Sequence, residues 1–363
     1  MEHFYKYDEL EENKTSDPEV KLIDVTNPEE PSLTIYNGGL FMDNGQLHLV
    51  ARVEDLNVEL ARVEEYHFDP NKRGFWRDES FVSRMHHQDP SPVFTPSHGI
   101  VHSLVRTVSS KDNPNNIINY RSVLWPSSKL KRPIAKGPLG QKGLKIFYYK
   151  DEYLVAVRTR NEAVNSDAYT VKSASYVGQV KNLRQITPTF VKRLEGDQNR
   201  KIKGFFAPGE WGNVTDSMLL LNNGRIAFMG HIAKYGKEFY KTGLIKSRNY
   251  AVIIGLLDPE TLETEQVEMV LTARDVYNEY QQLEPKRPDL WNVVYPRTMG
   301  FRLIVNEAGD QKIRMVGTCG VGDRYSVIFE MDWPFSSPPS YLEPSNSPFN
   351  YPSEYIKLIF QSD

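Results

Sequence analysis

Three basic side chains recur at the same distance after turn glycines. They are Arg52, Arg106 and His231, which stand seven residues after Gly45, Gly99 and Gly224. Arg158 follows a fourth turn in a similar way. A guanidinium group offers a fork of N–H donors that matches the oxygens of phosphate or carboxylate. If folding brings these residues together, they predict a phosphate cradle, with His231 as a further donor.

The glycines belong to predicted β-hairpins. In YNGGLFMDNGQLHLVARVE, residues 36–54, an apolar run meets Asn44-Gly45 and a second run then alternates out to Arg52 and Glu54. Asn-Gly between apolar runs is a strong hairpin signal. The same pattern returns in four further segments, namely 91–108, 144–160, 216–233 and 300–320. Their predicted turns lie at Ser97-His98-Gly99, Lys150-Asp151, Asn222-Asn223-Gly224 and Ala308-Gly309-Asp310.

Each hairpin is followed by a further strand and a turn, several of them marked by breakers such as Asp69-Pro70 and Asp258-Pro259. About four strands repeated five times predict an all-β fold, a five-bladed β-propeller. We expect a single domain over residues 1–363, with blades at about 33–85, 86–138, 139–205, 206–290 and 291–335. The C-terminal run 354–360 or the early run 20–25 is expected to pair with a blade and close the ring. A β-sandwich with an α/β domain is the alternative, but helical signal is weak outside residues 272–282.

A propeller would place the start of each first strand and the end of each second strand on one rim. The starts fall near Asn37, Asp89, Lys142 or Lys145, Asp216 and Arg297, and the ends near Arg52, Arg106, Arg158, His231 and the loop 320–323. Strand side chains alternate between faces, so equal offsets predict equivalent positions around the ring. Any single arginine could instead join two blades through a buried ion pair. The whole collection is more economically explained by a polar or charged ligand.

Composition narrows the classes of function. The net charge of −3 does not indicate binding to nucleic acid or to an anionic membrane. The single cysteine, Cys319, excludes an internal disulfide and a thiolate metal cage. No apolar run has the length of a signal peptide or a membrane span, so a cytoplasmic protein is expected.

Several segments resemble a group of sugar-active propellers. YNGGLFMDNGQLHLVAR is similar to the Asn-Pro-Gly entry of glycoside hydrolase family 130 mannoside phosphorylases, and HHQDPSPVF resembles their Glu-Asp-Pro-Arg entry to the second blade. HHQDPSPVF also resembles the Arg-Asp-Pro entry of β-fructosidase-type propellers. NVVYPRTMGF and GVGDRYSVIFEMD resemble two later segments of family 130. Over about residues 33–333 the chain looks most similar to the propeller family called domain of unknown function 1861. Ser91, Gln88 and Gly38 depart from the family 130 pattern, where Arg, Glu and Pro stand.

The resemblance implies a carbohydrate-active enzyme that cleaves a small glycoside in an axial funnel, with Asp89 as the general acid. Hydrolysis would need a second carboxylate, for which Glu210 and Asp216 are the candidates, with Glu54 and Asp323 in reserve. Trp211 is then expected to stack on a sugar ring. Phosphorolysis needs no second carboxylate, because phosphate attacks in place of water.

The remaining expected ligand contacts are His87, through a ligand hydroxyl, and Asn37, Tyr295 and Arg297 at the funnel rim. No metal site is expected at His86-His87, because adjacent strand residues point to opposite faces. No cofactor is expected other than inorganic phosphate as a co-substrate, and the oligomeric state is left open. The alternative functions are a non-catalytic sugar-binding propeller that uses the same polar ring and, less favoured by that ring, a protein-interaction propeller.

Overall fold

The structure is a computed structural model. It describes residues 4–23, 25–26, 33–55, 61–78, 81, 84–112, 117–126, 132–165, 168–240, 243–306, 308–340 and 347–361. Everything said below about structure concerns these residues.

The described chain is all-β, with twenty-one strands, four short α-helices and three 3₁₀ turns at Leu183–Gln185, Gln198–Arg200 and Pro288–Leu290. The strands are β1 (Glu19–Leu22), β2 (Val25–Thr26), β3 (Leu33–Asp43), β4 (Gln46–Asp55), β5 (Arg62–Asp69), β6 (Gly74–Arg77), β7 (Arg84–Met85), β8 (His87–Thr95), β9 (Gly99–Ser109), β10 (Ile117–Pro126), β11 (Ala135–Lys136), β12 (Lys145–Tyr149), β13 (Glu152–Asn165), β14 (Ala168–Val180), β15 (Glu210–Leu220), β16 (Ile226–Tyr240), β17 (Gly243–Leu257), β18 (Thr264–Thr272), β19 (Val294–Val305), β20 (Gln311–Val321) and β21 (Tyr325–Asp332). The helices are α1 (Tyr7–Glu12), α2 (Pro188–Gly196), α3 (Ala273–Glu279) and α4 (Ser353–Phe360).

The strands form five sheets in chain order. The first runs β3-β4-β5-β6, with β2 parallel to β6 and β7 beside β5. The second runs β8-β9-β10-β11, the third β12-β13-β14, the fourth β15-β16-β17-β18, and the fifth β19-β20-β21-β1. All five predicted hairpin turns join the first two strands of a sheet. Asn44 and Gly45 both have positive φ, as the predicted two-residue turn requires.

Five apolar clusters lie between consecutive sheets. Phe41 and Val50 of the first sheet pack with Leu104 of the second, and corresponding clusters join the second to the third, the third to the fourth and the fourth to the fifth. A fifth cluster closes the series, because Leu40 and Leu49 of the first sheet pack with Ile328 of the fifth. The first strands also contact one another around the same ring. The arrangement is propeller-like.

The edges of the fold differ in part from expectation. The third sheet has three strands among the described residues, and α2 packs on β13 and β14. Residues 354–360 were expected to form a strand but lie in α4, whose buried face of Ile356 and Ile359 belongs to the cluster between the fifth and first sheets. The early segment supplies the outer strand of the fifth sheet, since β1 pairs with β21. The predicted helix in residues 272–282 is confirmed as α3.

No helix among these residues is long and apolar enough to cross a membrane.

Candidate active site

A polar pocket of about 690 Å³ opens where the first strands of the sheets begin. Its lining residues come from all five sheets or the loops beside them: Asn37, Arg52, Gln88, Asp89, Lys142, Arg158, Arg248, Tyr250, Leu290, Val293, Tyr295, Arg297 and Asp323. Seven residues predicted from the sequence are among them, namely Asn37, Arg52, Asp89, Arg158, Tyr295, Arg297 and Asp323. The structure therefore brings these distant parts of the chain to one place.

β-Bulges direct the first-strand residues into the pocket. The pairing of β3 with β4 shifts between Tyr36 and Gly39, and that of β8 with β9 shifts between Gln88 and Ser91. Asn37 and Asp89 stand at these shifts with φ of 56° and 55°. Asn and Asp tolerate this left-handed region better than most residues, and a bulge can re-aim a side chain. Related bulges lie in β15 and β19.

Asp89 is held through one of its two carboxylate oxygens. Oδ1 accepts hydrogen bonds from Arg297 Nη2 and Asn37 Nδ2, both at 3.2 Å, and Arg52 Nη1 lies 3.6 Å from it. Oδ2 has no hydrogen-bond partner among the described residues and is available to a ligand. Burial alone would raise the pKa of Asp89, but Arg297 and Arg52 outweigh it and hold the pKa well below the usual range. Asp89 is therefore ionised in the ligand-free pocket.

Glu54 lies under the pocket and orients Arg52. Its Oε2 accepts from Arg52 Nε at 3.0 Å and Nη2 at 2.6 Å, while Oε1 accepts from Tyr36 Oη and from Lys286 Nζ. The side chain is fully buried, and it does not line the pocket. Glu54 was predicted to contact a ligand, but in the structure it supports Arg52 from beneath the pocket.

A second buried network supports Arg158. His231 Nδ1 lies 2.6 Å from Asp216 Oδ2, and His231 Nε2 lies 3.3 Å from Arg158 Nη1. Because a guanidinium can only donate, Nε2 must accept and Nδ1 must carry the proton that it donates to Asp216. Burial lowers the pKa of His231, which agrees with a neutral ring. Asp216 also accepts from Asn213 Nδ2 at 2.7 Å.

Aromatic rings form one wall of the pocket. His231 stacks on Tyr250 at 5.4 Å and packs on Tyr295 at 4.4 Å between ring centroids. The Arg297 guanidinium lies 4.3 Å from the Tyr295 centroid. Arg297 is 2% exposed, so the ring and Asp89 fix its orientation. The wall thus presents a rigid cation held against aromatic rings.

Asp323 is the second carboxyl group of the pocket. It lies in the turn between β20 and β21 with φ of 52°. Burial raises its pKa, and repulsion from Asp89 and Glu54 adds to this, while Arg52 acts in the opposite direction. The two carboxyl groups thus differ in acidity, since the pKa of Asp89 is held below its usual range and the pKa of Asp323 is raised.

Two lysines lie at the start of the third sheet, Lys142 in the loop before β12 and Lys145 as the first residue of β12. Lys142 lines the pocket, its Nζ 4.4 Å from the Tyr120 centroid, and burial lowers its pKa. Lys145 lies deeper, beside Asp216, and burial lowers its pKa to about 8. Sequence reasoning placed one of the two at the funnel, and the structure places Lys142 there.

Besides Glu54, six predicted site residues lie outside the pocket lining. Trp211 is fully buried and donates Nε1–H to Tyr250 Oη at 2.9 Å, so no face is open to a sugar. Glu210 accepts backbone N–H groups from Tyr7 and Ala207 and anchors the N-terminal segment. His87 is buried edge-on against Trp125. His231 and Asp216 lie behind Arg158 and do not line the pocket.

Arg106 is exposed and does not line the pocket. Equal spacing from a turn glycine did not predict equivalent positions in the fold. The three glycines lie at different places relative to the start of the strand that follows. Gly45 precedes β4, Gly99 is already the first residue of β9, and Gly224 precedes β16 by two residues. Arg52 and Arg106 are therefore the seventh and eighth residues of their strands, and strand alternation directs them to opposite faces.

Arg248, Tyr250 and Gln88 line the pocket but were not predicted as site residues. Gln88 directly precedes Asp89, and its position in the bulge was the only signal available for it. Arg248 and Tyr250 come from β17, the third strand of the fourth sheet, which the propeller pattern assigns to the outer part of a blade.

Fold and site together define an all-β, propeller-like protein with a cation-rich axial pocket. The chain belongs to the family described as protein of unknown function (DUF1861), which matches residues 22–337. No curated protein matches the sequence.

Solved structures from Leishmania share the fold. A mannose phosphorylase from Leishmania mexicana, in complex with phosphate ion, is 17% identical with a TM-score of 0.72, and the match covers 95% of this chain and 96% of that one. A GDP-Man-dependent mannosyltransferase from the same organism is 16% identical with a TM-score of 0.71, over 95% and 97% of the two chains. A hypothetical protein from Leishmania major is 17% identical with a TM-score of 0.65, over 91% and 94%.

Proposed function

We propose that the protein is a five-bladed β-propeller whose axial pocket catalyses reversible phosphorolysis of a small glycoside. The five sheets, their five apolar interfaces and the ring of contacts between first strands support the blade count. The products are a sugar 1-phosphate and a released alcohol or sugar. The sugar is of the mannose type, in line with the mannose phosphorylase and the mannosyltransferase that share the fold.

The charge of the pocket carries this proposal. Five cationic side chains line it, namely Arg52, Lys142, Arg158, Arg248 and Arg297, against the two carboxyl groups of Asp89 and Asp323. Even with both carboxyls ionised, the pocket keeps an excess of positive charge that an uncharged glycoside does not compensate. A phosphate dianion does, and guanidinium groups suit its oxygens.

The reaction needs one proton carrier. A phosphate oxygen attacks the anomeric carbon, the bond to the departing oxygen breaks, and Asp89 Oδ2 delivers the proton to that oxygen. In the reverse direction the same carboxylate accepts the proton of the attacking hydroxyl. Asp89 is ionised in the ligand-free pocket, and the synthetic direction of the reaction needs this carboxylate ionised at its start. For cleavage, the negative charge of bound phosphate beside Arg52 and Arg297 raises the pKa of Asp89 and favours the protonated acid.

Hydrolysis is less well supported. It would need a second carboxylate at the pocket to activate water. Asp216 is 2% exposed and already bound to His231 and Asn213, and Glu210 is bound to two backbone N–H groups. Among the lining residues Asp323 is the other carboxyl group, and the five cations that line the same pocket favour a bound anion over water as the attacking group.

The first test is turnover of mannosides with and without phosphate, followed by ³¹P NMR for the sugar 1-phosphate. We expect phosphate-dependent product, and we expect Asp89→Asn to lower kcat by at least about 100-fold, the usual lower bound for loss of a general acid. Arg158→Gln should mainly raise KM for phosphate. Arg106→Gln is the matched control, since Arg106 is an exposed arginine outside the pocket, and it should behave as wild type.

The alternatives give different results. If sugar is released at the same rate without phosphate, the proposed phosphorylase activity is wrong and the protein is a hydrolase. Absence of turnover on every substrate, combined with sugar-dependent thermal stabilisation, would support the non-catalytic sugar-binding propeller.

A further inference from the structure

A second cluster of ionisable groups lies away from the axial pocket, between the first and second sheets. His48 comes from β4, Glu65 from β5, and Asp78 follows β6, while His102 reaches across from β9. His48, Glu65 and His102 are 8%, 5% and 2% exposed. None of the four residues lines the axial pocket.

The cluster centres on Glu65. His48 Nδ1 lies 3.2 Å from Glu65 Oε1, and His102 Nε2 lies 3.4 Å from Glu65 Oε2. One nitrogen of His48, one oxygen of Glu65 and one oxygen of Asp78 all lie within 4.8 Å of one another. Burial alone would raise the pKa of Glu65, but the two histidines outweigh it and lower the pKa to about 2. Glu65 is therefore ionised over the whole physiological range.

The ring nitrogens that face Glu65 lack well-formed hydrogen bonds. His48 Nδ1 and both ring nitrogens of His102 have no hydrogen-bond partner among the described residues, although two of them lie at ion-pair distance from Glu65. A buried polar atom in this condition is costly unless another group satisfies it. Phe41 stacks on His48 at 5.2 Å and meets His102 edge-on at 5.7 Å, which excludes bulk water from that side.

We propose that this cluster binds a divalent transition-metal ion, Zn²⁺, through His48, Glu65 and Asp78 of the first sheet, and that His102 of the second sheet holds the Glu65 ligand. Imidazole nitrogen and carboxylate oxygen are both common zinc ligands. With bonds of about 2.0–2.1 Å in a tetrahedron, neighbouring ligand atoms stand roughly 3.3 Å apart. The 3.2 Å between His48 and Glu65 fits this spacing, and Asp78 closes the set with a small movement.

His102 has a different part in this site. Its Nε2 faces the Glu65 oxygen that His48 does not, so it orients the carboxylate from the second sheet. Such outer partners of metal ligands commonly affect metal affinity by about 10–100-fold. Ca²⁺ is disfavoured because it takes six to eight oxygen ligands, and this set includes an imidazole.

The test uses the full chain, stripped with a chelator and then supplied with Zn²⁺. After desalting, we expect about one zinc per chain by elemental mass spectrometry. Zinc at about a hundredfold excess over Kd should raise Tm by about 3 °C for a chain of this size. Ca²⁺ should give no shift.

Variants identify the ligands. His48→Gln and Asp78→Asn should each weaken zinc binding by at least about tenfold, and His102→Gln should do so within about 10–100-fold. His98→Gln is the matched control, because His98 is exposed in the turn between β8 and β9. Asp78 is only half-buried, so Asp78→Asn is expected to fold, and its Tm without metal checks this.

Two results would overturn the proposal. One is a wild-type chain that retains less than about a tenth of an equivalent of zinc and shows no change in Tm. The other is loss of zinc in His98→Gln equal to the loss in His48→Gln. Either would leave the cluster as a bridge of ionic contacts between sheets, without a metal.

Discussion

Glu54 shows how a buried charge controls the pocket from beneath. It gathers Arg52, Lys286 and Tyr36 around one carboxylate that has no exposed surface. Arg52 then lies 3.6 Å from Asp89 Oδ1. Removing one partner from a buried ionic network leaves the others uncompensated, and this usually costs much more than the net value of the pair.

We therefore expect Glu54→Gln to lower the free energy of unfolding by about 3–5 kcal/mol. The variant keeps the size of the side chain but removes the carboxylate that Lys286 pairs with and leaves Arg52 with the more distant Asp89. Urea denaturation of both proteins measures the effect. Glu263→Gln is the control, because Glu263 pairs with Lys203 at 3.2 Å on the exposed surface and should change little. An unchanged midpoint for Glu54→Gln would contradict the supporting role.

At this scale, position at the end of a predicted strand was a better guide than residue type or distance from a turn glycine. Asn37, Asp89 and Asp323 were selected at the ends of predicted strands, and all three line the pocket with positive φ. Arg106 and Trp211 were selected by offset and by type, and they lie outside it. Whether an arginine or a tryptophan faces a pocket or the core depends on one residue of strand register, which the sequence does not fix.

β-Bulges in the first strands direct side chains from the sheets into the pocket. Four of the five first strands lose register with their partners near the pocket, at Tyr36/Gly39, Gln88/Ser91, Asn213/Ser217 and Pro296/Thr298. Hairpin signals predict turns and strands but give no sign of an extra residue within a strand. The sequence therefore predicted where the strands lie. It did not predict the direction in which the first side chains of each strand point.

Close packing between the fifth and first sheets holds the first bulge. A Cβ built on Gly320 of β20 would overlap Asn37 Oδ1. Asn37 in turn donates to Asp89 Oδ1 at 3.2 Å. The absence of a side chain on Gly320 leaves room for the Asn37 amide, so Gly320 acts on Asp89 through Asn37.

Gly320→Ala should therefore displace Asn37 and weaken the hold on Asp89. We expect a fall of at least about tenfold in kcat/KM and a destabilisation of about 1–3 kcal/mol from overpacking. Gly196→Ala is the matched control, because a Cβ on Gly196 at the end of α2 meets nothing within 4 Å. Wild-type activity in Gly320→Ala would show that Asp89 does not depend on Asn37.

At the scale of the whole molecule, the pattern of apolar residues in the sequence predicted most of the fold. Alternating strands at five hairpins predicted five sheets, and the clusters between them join each sheet to the next. The small net charge of −3 conceals the cationic pocket, because charge balance over the chain says nothing about where charges meet. The helical C-terminus was missed because Glu354–Phe360 contains β-branched and aromatic residues that suit a strand equally well.

The fifth sheet takes its outer strand, β1, from a part of the chain that is far in sequence from the partner strand β21. Lys21 pairs with Ile328, Val20 and Leu22 pack on the cluster between the fourth and fifth sheets, and Ile23 is buried between the fifth and first.

We expect the free energy of unfolding to fall by about 3 kcal/mol or more in a chain that begins at residue 24, since each fully buried aliphatic side chain contributes about 1.5–3 kcal/mol. A chain that begins at residue 14 is the control, because it lacks α1 but keeps β1. The difference between their urea midpoints isolates the strand, and a synthetic peptide of residues 14–26 should restore part of it. Equal midpoints for the two truncated chains would mean that the fifth sheet is stable without its outer strand, and that the ring is held by its inner strands alone.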